Sequence, residues 1–200
     1  MRKLKNVLRA SSCCAFSILM CLPTAGQNAW SEADCVTLLD STSVTVQPNG
    51  SGSFAVYKSF KVQTPKGAVN NHVIKYDYDP LTAFARFKQV TVQRANGETI
   101  QVDVTKTCDY AAPARAIYWG ARQIMLERLE PGDVVSYEIS KKGFTYALLA
   151  GAEDDDARFI PPMRGQFYDI VPFWVNEPTR RKVYVVSMPM EKELQFQFYN

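Results

Sequence analysis

Leu129-Glu130-Pro131-Gly132-Asp133-Val134-Val135-Ser136-Tyr137-Glu138-Ile139 is the stretch whose reading decides the fold class. Pro131 pre-sets φ for the first central position of a tight turn, and Gly132 supplies the positive φ of a type II turn at the second. A strand follows. Val135, Tyr137 and Ile139 alternate with Ser136 and Glu138, the period of a strand with one buried and one wet face. Upstream, Ile124, Leu126 and Arg128 share one side and Met125, Glu127 and Leu129 the other, so Gln123 to Leu129 is expected to pair back as the second arm of a hairpin.

The same alternation recurs on either side. Val36 to Val46 is rich in β-branched residues and is broken by Gln47-Pro48-Asn49-Gly50-Ser51-Gly52. Phe54, Val56, Phe60 and Val62 then fall on one face, interrupted only by Lys58, which completes a β-hairpin. Thr64-Pro65-Lys66-Gly67 signals the next turn, and His72 to Tyr78 reads as a strand ended by Asp79-Pro80. Val90 and Val92, then Asn96-Gly97, then Ile100, Val102 and Val104 predict a hairpin closed by a two-residue type I′ turn. Thr105 to Arg115 is irregular by pattern. Gln166 to Val175 is at best an edge strand because of Pro172, while Val183 to Val186 and Glu193 to Asn200 read as further strands. Nine or ten short strands with few helical stretches predict an all-β chain, an antiparallel two-sheet β-sandwich. The last strand reaches Asn200 without a polar tail, so the chain is expected to continue in a longer protein.

At 200 residues, 46% hydrophobic and 22% charged, the composition suits one domain with one substantial core. Residues 1–26 differ from the rest. Arg2, Lys3, Lys5 and Arg9 precede an apolar run from Cys13 to Leu22 and then Pro23-Thr24-Ala25-Gly26, the layout of a signal peptide cut between Gly26 and Gln27. The run is too short to span a bilayer, which takes roughly 20 apolar residues. A lipoprotein reading would keep Cys21, but Met20 stands before it where a small residue is wanted. Export to a periplasm or cell envelope is therefore expected, with residues 27–200 as the mature domain. Removing four basic residues and no acidic one takes the formal charge from +3 to −1, which excludes a nucleic-acid reading based on a basic patch.

Several stretches, in order, resemble a known family. Pro48-Asn49-Gly50 after a first strand, Lys66-Gly67-Ala68, Tyr78-Asp79-Pro80, Arg94 to Ile100 around Asn96-Gly97-Glu98, Leu129 to Ile139, and Tyr168 to Pro189 are similar to the domain of unknown function 3857. The resemblance covers roughly Asp34 to Asn200. It implies an exported bacterial β-rich domain that commonly precedes a transglutaminase-like domain, and it brings no catalytic residues and no cofactor with it.

The residues themselves offer few candidates for chemistry. His72 is the only histidine, so any triad would have to run through it, and a structural or solvated role is the stronger reading. No GxSxG, HExxH or CxxC occurs, and the ligand count excludes a zinc site. Glu153-Asp154-Asp155-Asp156 lacks the alternation and glycine of a calcium loop and reads as a solvated acidic loop. Trp119 and Trp174, with Tyr118, Phe167 and Phe173, are candidate ligand-stacking aromatics, although burial is the commoner fate of such residues. Cys35 and Cys108 are the even pair left after processing and are expected to form a disulfide in an oxidising compartment. The leading expectation is a non-catalytic interaction or positioning module for a transglutaminase-like partner or another envelope protein. A glycan- or peptide-binding module is the alternative, and an enzyme in its own right is disfavoured.

Overall fold

The computed structural model describes residues 28–78, 80, 83–111, 120–144, 167, 169–173 and 177–199. The expected leader, the acidic segment 153–156, Trp119 and Trp174 lie outside the described residues. Among those described there are nine strands and very little helix, so the chain is all-β as its alternation indicates. The strands are β1 (Cys35–Val46), β2 (Gly52–Val62), β3 (Val73–Tyr78), β4 (Ala83–Gln93), β5 (Thr99–Gln101), β6 (Cys108–Ala111), β7 (Gly120–Met125), β8 (Val134–Gly143) and β9 (Lys182–Ser187). They form a six-stranded sheet in the order β5-β4-β8-β2-β1-β9 and a three-stranded sheet in the order β3-β7-β6.

The large sheet is mixed, which corrects the all-antiparallel expectation. β1 pairs antiparallel with β2 on one side and parallel with β9 on the other, Asp40 opposite Lys182 and Val44 opposite Val186. A parallel partner needs no turn next to it, so nothing local announces it. The two sheets share one core: Phe60, Val62, Phe87, Val90, Val92, Val135 and Ile139 of the large sheet pack with Ile74 of β3 and Ile124 of β7. A smaller cluster of Val44, Val46 and Phe54 lies toward β9 and is flanked by the half-buried Tyr184, Val186 and Met188.

The turn at Pro131-Gly132 forms as read: Gly132 takes φ +100°, and the Asp133 amide donates to Glu130 O at 3.1 Å. Its neighbours correct the hairpin drawn from them. β7 pairs with β3 and β6 in the small sheet, whereas β8 pairs with β2 and β4 in the large one. Between them, Leu126 and Leu129 are buried in the shared core, and the turn is fixed to the end of β2 by Gly132 N–H to Val62 O (2.8 Å) and Val62 N–H to Asp133 O (2.9 Å). Two apolar anchors in four residues carry the chain from one sheet to the other. Asp133, 2% exposed, holds this corner: its carboxylate accepts from Arg94 Nη1 at 2.6 Å and from the Glu130 amide at 2.8 Å, while Arg94 also donates to Arg128 O at 2.8 Å.

Other local readings are refined. The Asn96-Gly97 hairpin exists, but Arg94 N–H donates to Glu98 O, Gly97 N–H donates to Arg94 O and Gly97 has φ +91°, which makes a three-residue loop with glycine at its left-handed position instead of a type I′ turn. Thr64-Pro65 opens a short helix (Pro65–Asn70), because the Thr64 hydroxyl caps the Gly67 amide at 3.0 Å and Pro65 suits the first helical turn. That helix lies so close to the first strand that a Cβ on Gly67 would stand 2.2 Å from Asp34 O. The segment read as irregular holds a 3₁₀ turn (Val104–Lys106) capped by Asp103, and then β6. Residues 169–173 and 193–199 belong to neither sheet, although strands were expected there.

Candidate functional site

Pairing registers place charged residues where the core pattern wants apolar ones. In an antiparallel or parallel pair, residues directly opposite share a face. Lys182, Asp40, Lys58, Tyr137 and Val90 therefore form one row across five strands, and Val90 lies wholly in the core. The row faces inward. Lys58, the residue that interrupts the apolar side of β2, belongs to it. A buried charge is costly unless paired, and the pairing is present: Lys182 Nζ lies 3.0 Å from Asp40 Oδ2.

Two rows further on, Lys141 is only 9% exposed, and its ammonium sits 4.7 Å from the centre of the Phe54 ring. Residues 169–172 close over this region and leave a shallow pocket of about 230 Å³ lined by Thr42, Phe54, Val56, Tyr76, Lys141 and Asp169, among others. Burial raises the Asp169 carboxyl above the usual carboxylate range, against the opposing effects of the Tyr184 hydroxyl, the Ile170 amide at 2.9 Å and the charge of Lys141. Burial also pushes the Tyr76 phenol up to about 12, helped by Asp169. Tyr137 is raised further still by burial and then by the nearby Asp40, Tyr76 and Glu177. Both phenols stay protonated at neutral pH. They can donate hydrogen bonds, which suits holding a polar ligand.

The residues proposed from sequence are dispersed. Cys35 and Cys108 are both free thiols, which corrects the expected disulfide. Cys35 is buried at the start of β1 in the large sheet, where its sulfur accepts from Asn71 Nδ2 at 3.2 Å, whereas Cys108 is exposed on β6 of the small sheet beside Gln123 Nε2 at 3.4 Å. Burial, with Glu177 and Asp34 adding to it, pushes the Cys35 thiol up to about 11 and so keeps it protonated and unreactive. His72 is exposed, and its Nδ1 donates to Val69 O at the end of the Pro65–Asn70 helix. Asn71, not His72, meets the thiol. Among the described residues no group of three or more histidine, cysteine, aspartate or glutamate side chains could hold a metal ion, and no helix is long and apolar enough to cross a membrane.

A second feature lies where β4 meets the small sheet. Arg122 of β7 grips Asp109 of β6 with two bonds of 2.7 Å and donates to Ala85 O at 2.7 Å. Its guanidinium carbon thereby lies 5.1 Å from the Phe84 ring centre and 5.9 Å from that of Tyr78, and Arg86 approaches Phe84 at 5.7 Å. Phe84 remains 49% exposed, while Tyr110, 48% exposed, lies opposite Ala121 and so faces the other side of the small sheet from Asp109 and Arg122. The result is a rigid arginine–aromatic surface. Sequence reading missed it because Phe84 and Arg122 are distant in the chain and meet only where the two sheets come together.

Comparison with known proteins adds a family and structural likeness at low identity. No curated protein matches the sequence. A crystal structure of a "putative protease" from Parabacteroides distasonis ATCC 8503 is similar to this chain at 14% identity and TM-score 0.48, over 55% of this chain and 23% of that one. The model of the family described as a domain of unknown function with a solved structure, DUF3857, matches residues 48–200, from the β1–β2 turn through the corner at Pro131-Gly132 and beyond β9. The chain belongs to the DUF3857 family.

Proposed function

We propose that this protein is a non-catalytic, exported interaction module of the bacterial envelope that positions a transglutaminase-like domain. The observation that carries the reading is the arginine–aromatic surface of Phe84, Arg86 and Arg122. Arginine and aromatic residues are enriched at the energetic centres of interfaces, and here the Arg122 side chain is already held by Asp109 and the Ala85 carbonyl, so little of its ordering entropy is lost on docking. Calorimetric titration of the mature domain with a transglutaminase-like domain encoded in the same gene or operon tests it. Binding is expected, weakened about tenfold or more in the exposed variant Phe84→Ser. No heat of binding, or binding indifferent to that variant, would sink the proposal.

The shallow inner-face pocket favours a second reading, a glycan- or peptide-binding module. Tyr76, Lys141 and Asp169 offer hydrogen-bonding groups beside the apolar Phe54 and Val56. Perturbation of the Tyr76 and Ile170 NMR signals by envelope glycan or peptide fragments, without a response to the transglutaminase-like domain, would favour it over the first.

A further inference from the structure

We infer that two copies of this chain associate by exchanging residues 193–199, each copy's segment adding as an antiparallel strand to the free edge of the other's β9. Among the described residues β9 ends the large sheet, and its run Val183-Tyr184-Val185-Val186 carries no charge. Natural edge strands are commonly protected by charges, prolines or bulges. Here the single lysine, Lys182, is drawn into its ion pair with Asp40, so the edge is bare of such protection. The core beneath it is also incomplete. Tyr184, Val186 and Met188 cover the cluster of Val44, Val46 and Phe54 while remaining half-buried themselves.

The chain carries a strand that fits this edge. Leu194, Phe196 and Phe198 alternate with Gln195 and Gln197 along the sequence, and the Phe196 and Phe198 rings lie 5.5 Å apart. The three apolar residues are 44%, 74% and 62% exposed, and the segment lies outside both sheets. Set with Leu194 opposite Val186, Phe196 opposite Tyr184 and Phe198 opposite Lys182, it would place its apolar side over the incomplete cluster and its glutamines toward solvent.

The connection decides between the segment's own β9 and that of another copy. Pro189 to Lys192 forms a turn closed by Lys192 N–H to Pro189 O at 3.1 Å. Continued as a hairpin from that turn, the segment would set Leu194 opposite Ser187 and Phe196 opposite Val185. That register is one residue away from the fitting one, and a one-residue slip sends every side chain to the opposite face. A strand supplied by a second copy is not held to the register of this turn. Reciprocal exchange about a two-fold axis fills both edges at once and leaves no open end.

Light scattering of the chain during gel filtration, over about 1–100 µM, tests the association, because mass action makes a dimer concentration-dependent. A dimer is expected, with its dissociation constant raised at least about tenfold in Phe196→Asp/Phe198→Asp. Both rings are exposed, and an unchanged circular dichroism spectrum checks that the variant folds. Mixing singly substituted Val186→Cys and Leu194→Cys chains then separates the occupants, since a disulfide joining the two different chains requires exchange. A monomer throughout, a dimer indifferent to the aspartate substitutions, or a bond that forms only within doubly substituted chains would overturn the inference. The transglutaminase-like partner reading stands or falls separately, by its own titration.

Discussion

Single residues here do what their surroundings allow more than what their type suggests. Cys35 and Cys108 look equivalent in the sequence, yet burial has made one thiol inert while the other is exposed. Iodoacetamide at mildly alkaline pH should therefore label Cys108 in the folded protein and Cys35 only after unfolding, as read by peptide mass spectrometry; early labelling of Cys35 would contradict its placement. Asp169 supplies a second test. Its carboxyl is raised by burial, so the folded chain holds that proton more readily than the unfolded one. Stability from this group is full below the ordinary carboxylate range and is lost as pH rises through the raised value. Asp169→Asn removes the loss and can keep a hydrogen bond to Tyr184. Its melting temperature relative to the parent should be unchanged near about pH 4, the ordinary range of the group, and higher at neutral pH. A variant less stable at neutral pH would show that the charged form is favoured there.

At the scale of elements, the corner at Glu130–Asp133 joins the sheets, and its ion pair is nearly dry. Arg94→Ala leaves the Asp133 carboxylate buried with only the Glu130 amide, a loss that should cost about 3 kcal/mol in urea unfolding with little change in slope. A cost under about 1 kcal/mol, the level of an exposed pair, would mean that solvent reaches the site. The corner also shows what was legible in the sequence. Alternation announces a strand because side chains alternate whatever the partner is, so β1, β2, β3, β4, β8 and β9 were readable, and so was the glycine at 132. Partners were not. β7 and β8 flank a good turn signal but are drawn into different sheets by Leu126 and Leu129, and β9 lies parallel to β1 with no turn between them. β6 was hidden by its shortness, and the inner charged row by the fact that facing residues are set by register. Only Lys58, breaking an apolar side, hinted at it. Residues 193–199 kept a strand's pattern without a strand's pairing.

For the whole molecule, the place of β1 between β2 and β9 sets the order of assembly. β2 follows β1 after a tight turn and can zip to it within microseconds, the timescale of hairpins. β9 comes from the far end of the chain, and the entropy of closing so long a loop delays its docking. Until then one side of β1 is a row of unanswered amides, among them those of Thr37 and Asp40, which later donate to Pro178 O and Arg181 O at 2.9 Å. Pulse-labelled hydrogen exchange during refolding should protect these two amides later than the amides of β2. A newly made chain thus carries an adhesive seam at its centre for as long as β9 is missing, and a chaperone that holds it should be needed for that interval and released by the arrival of Lys182–Ser187.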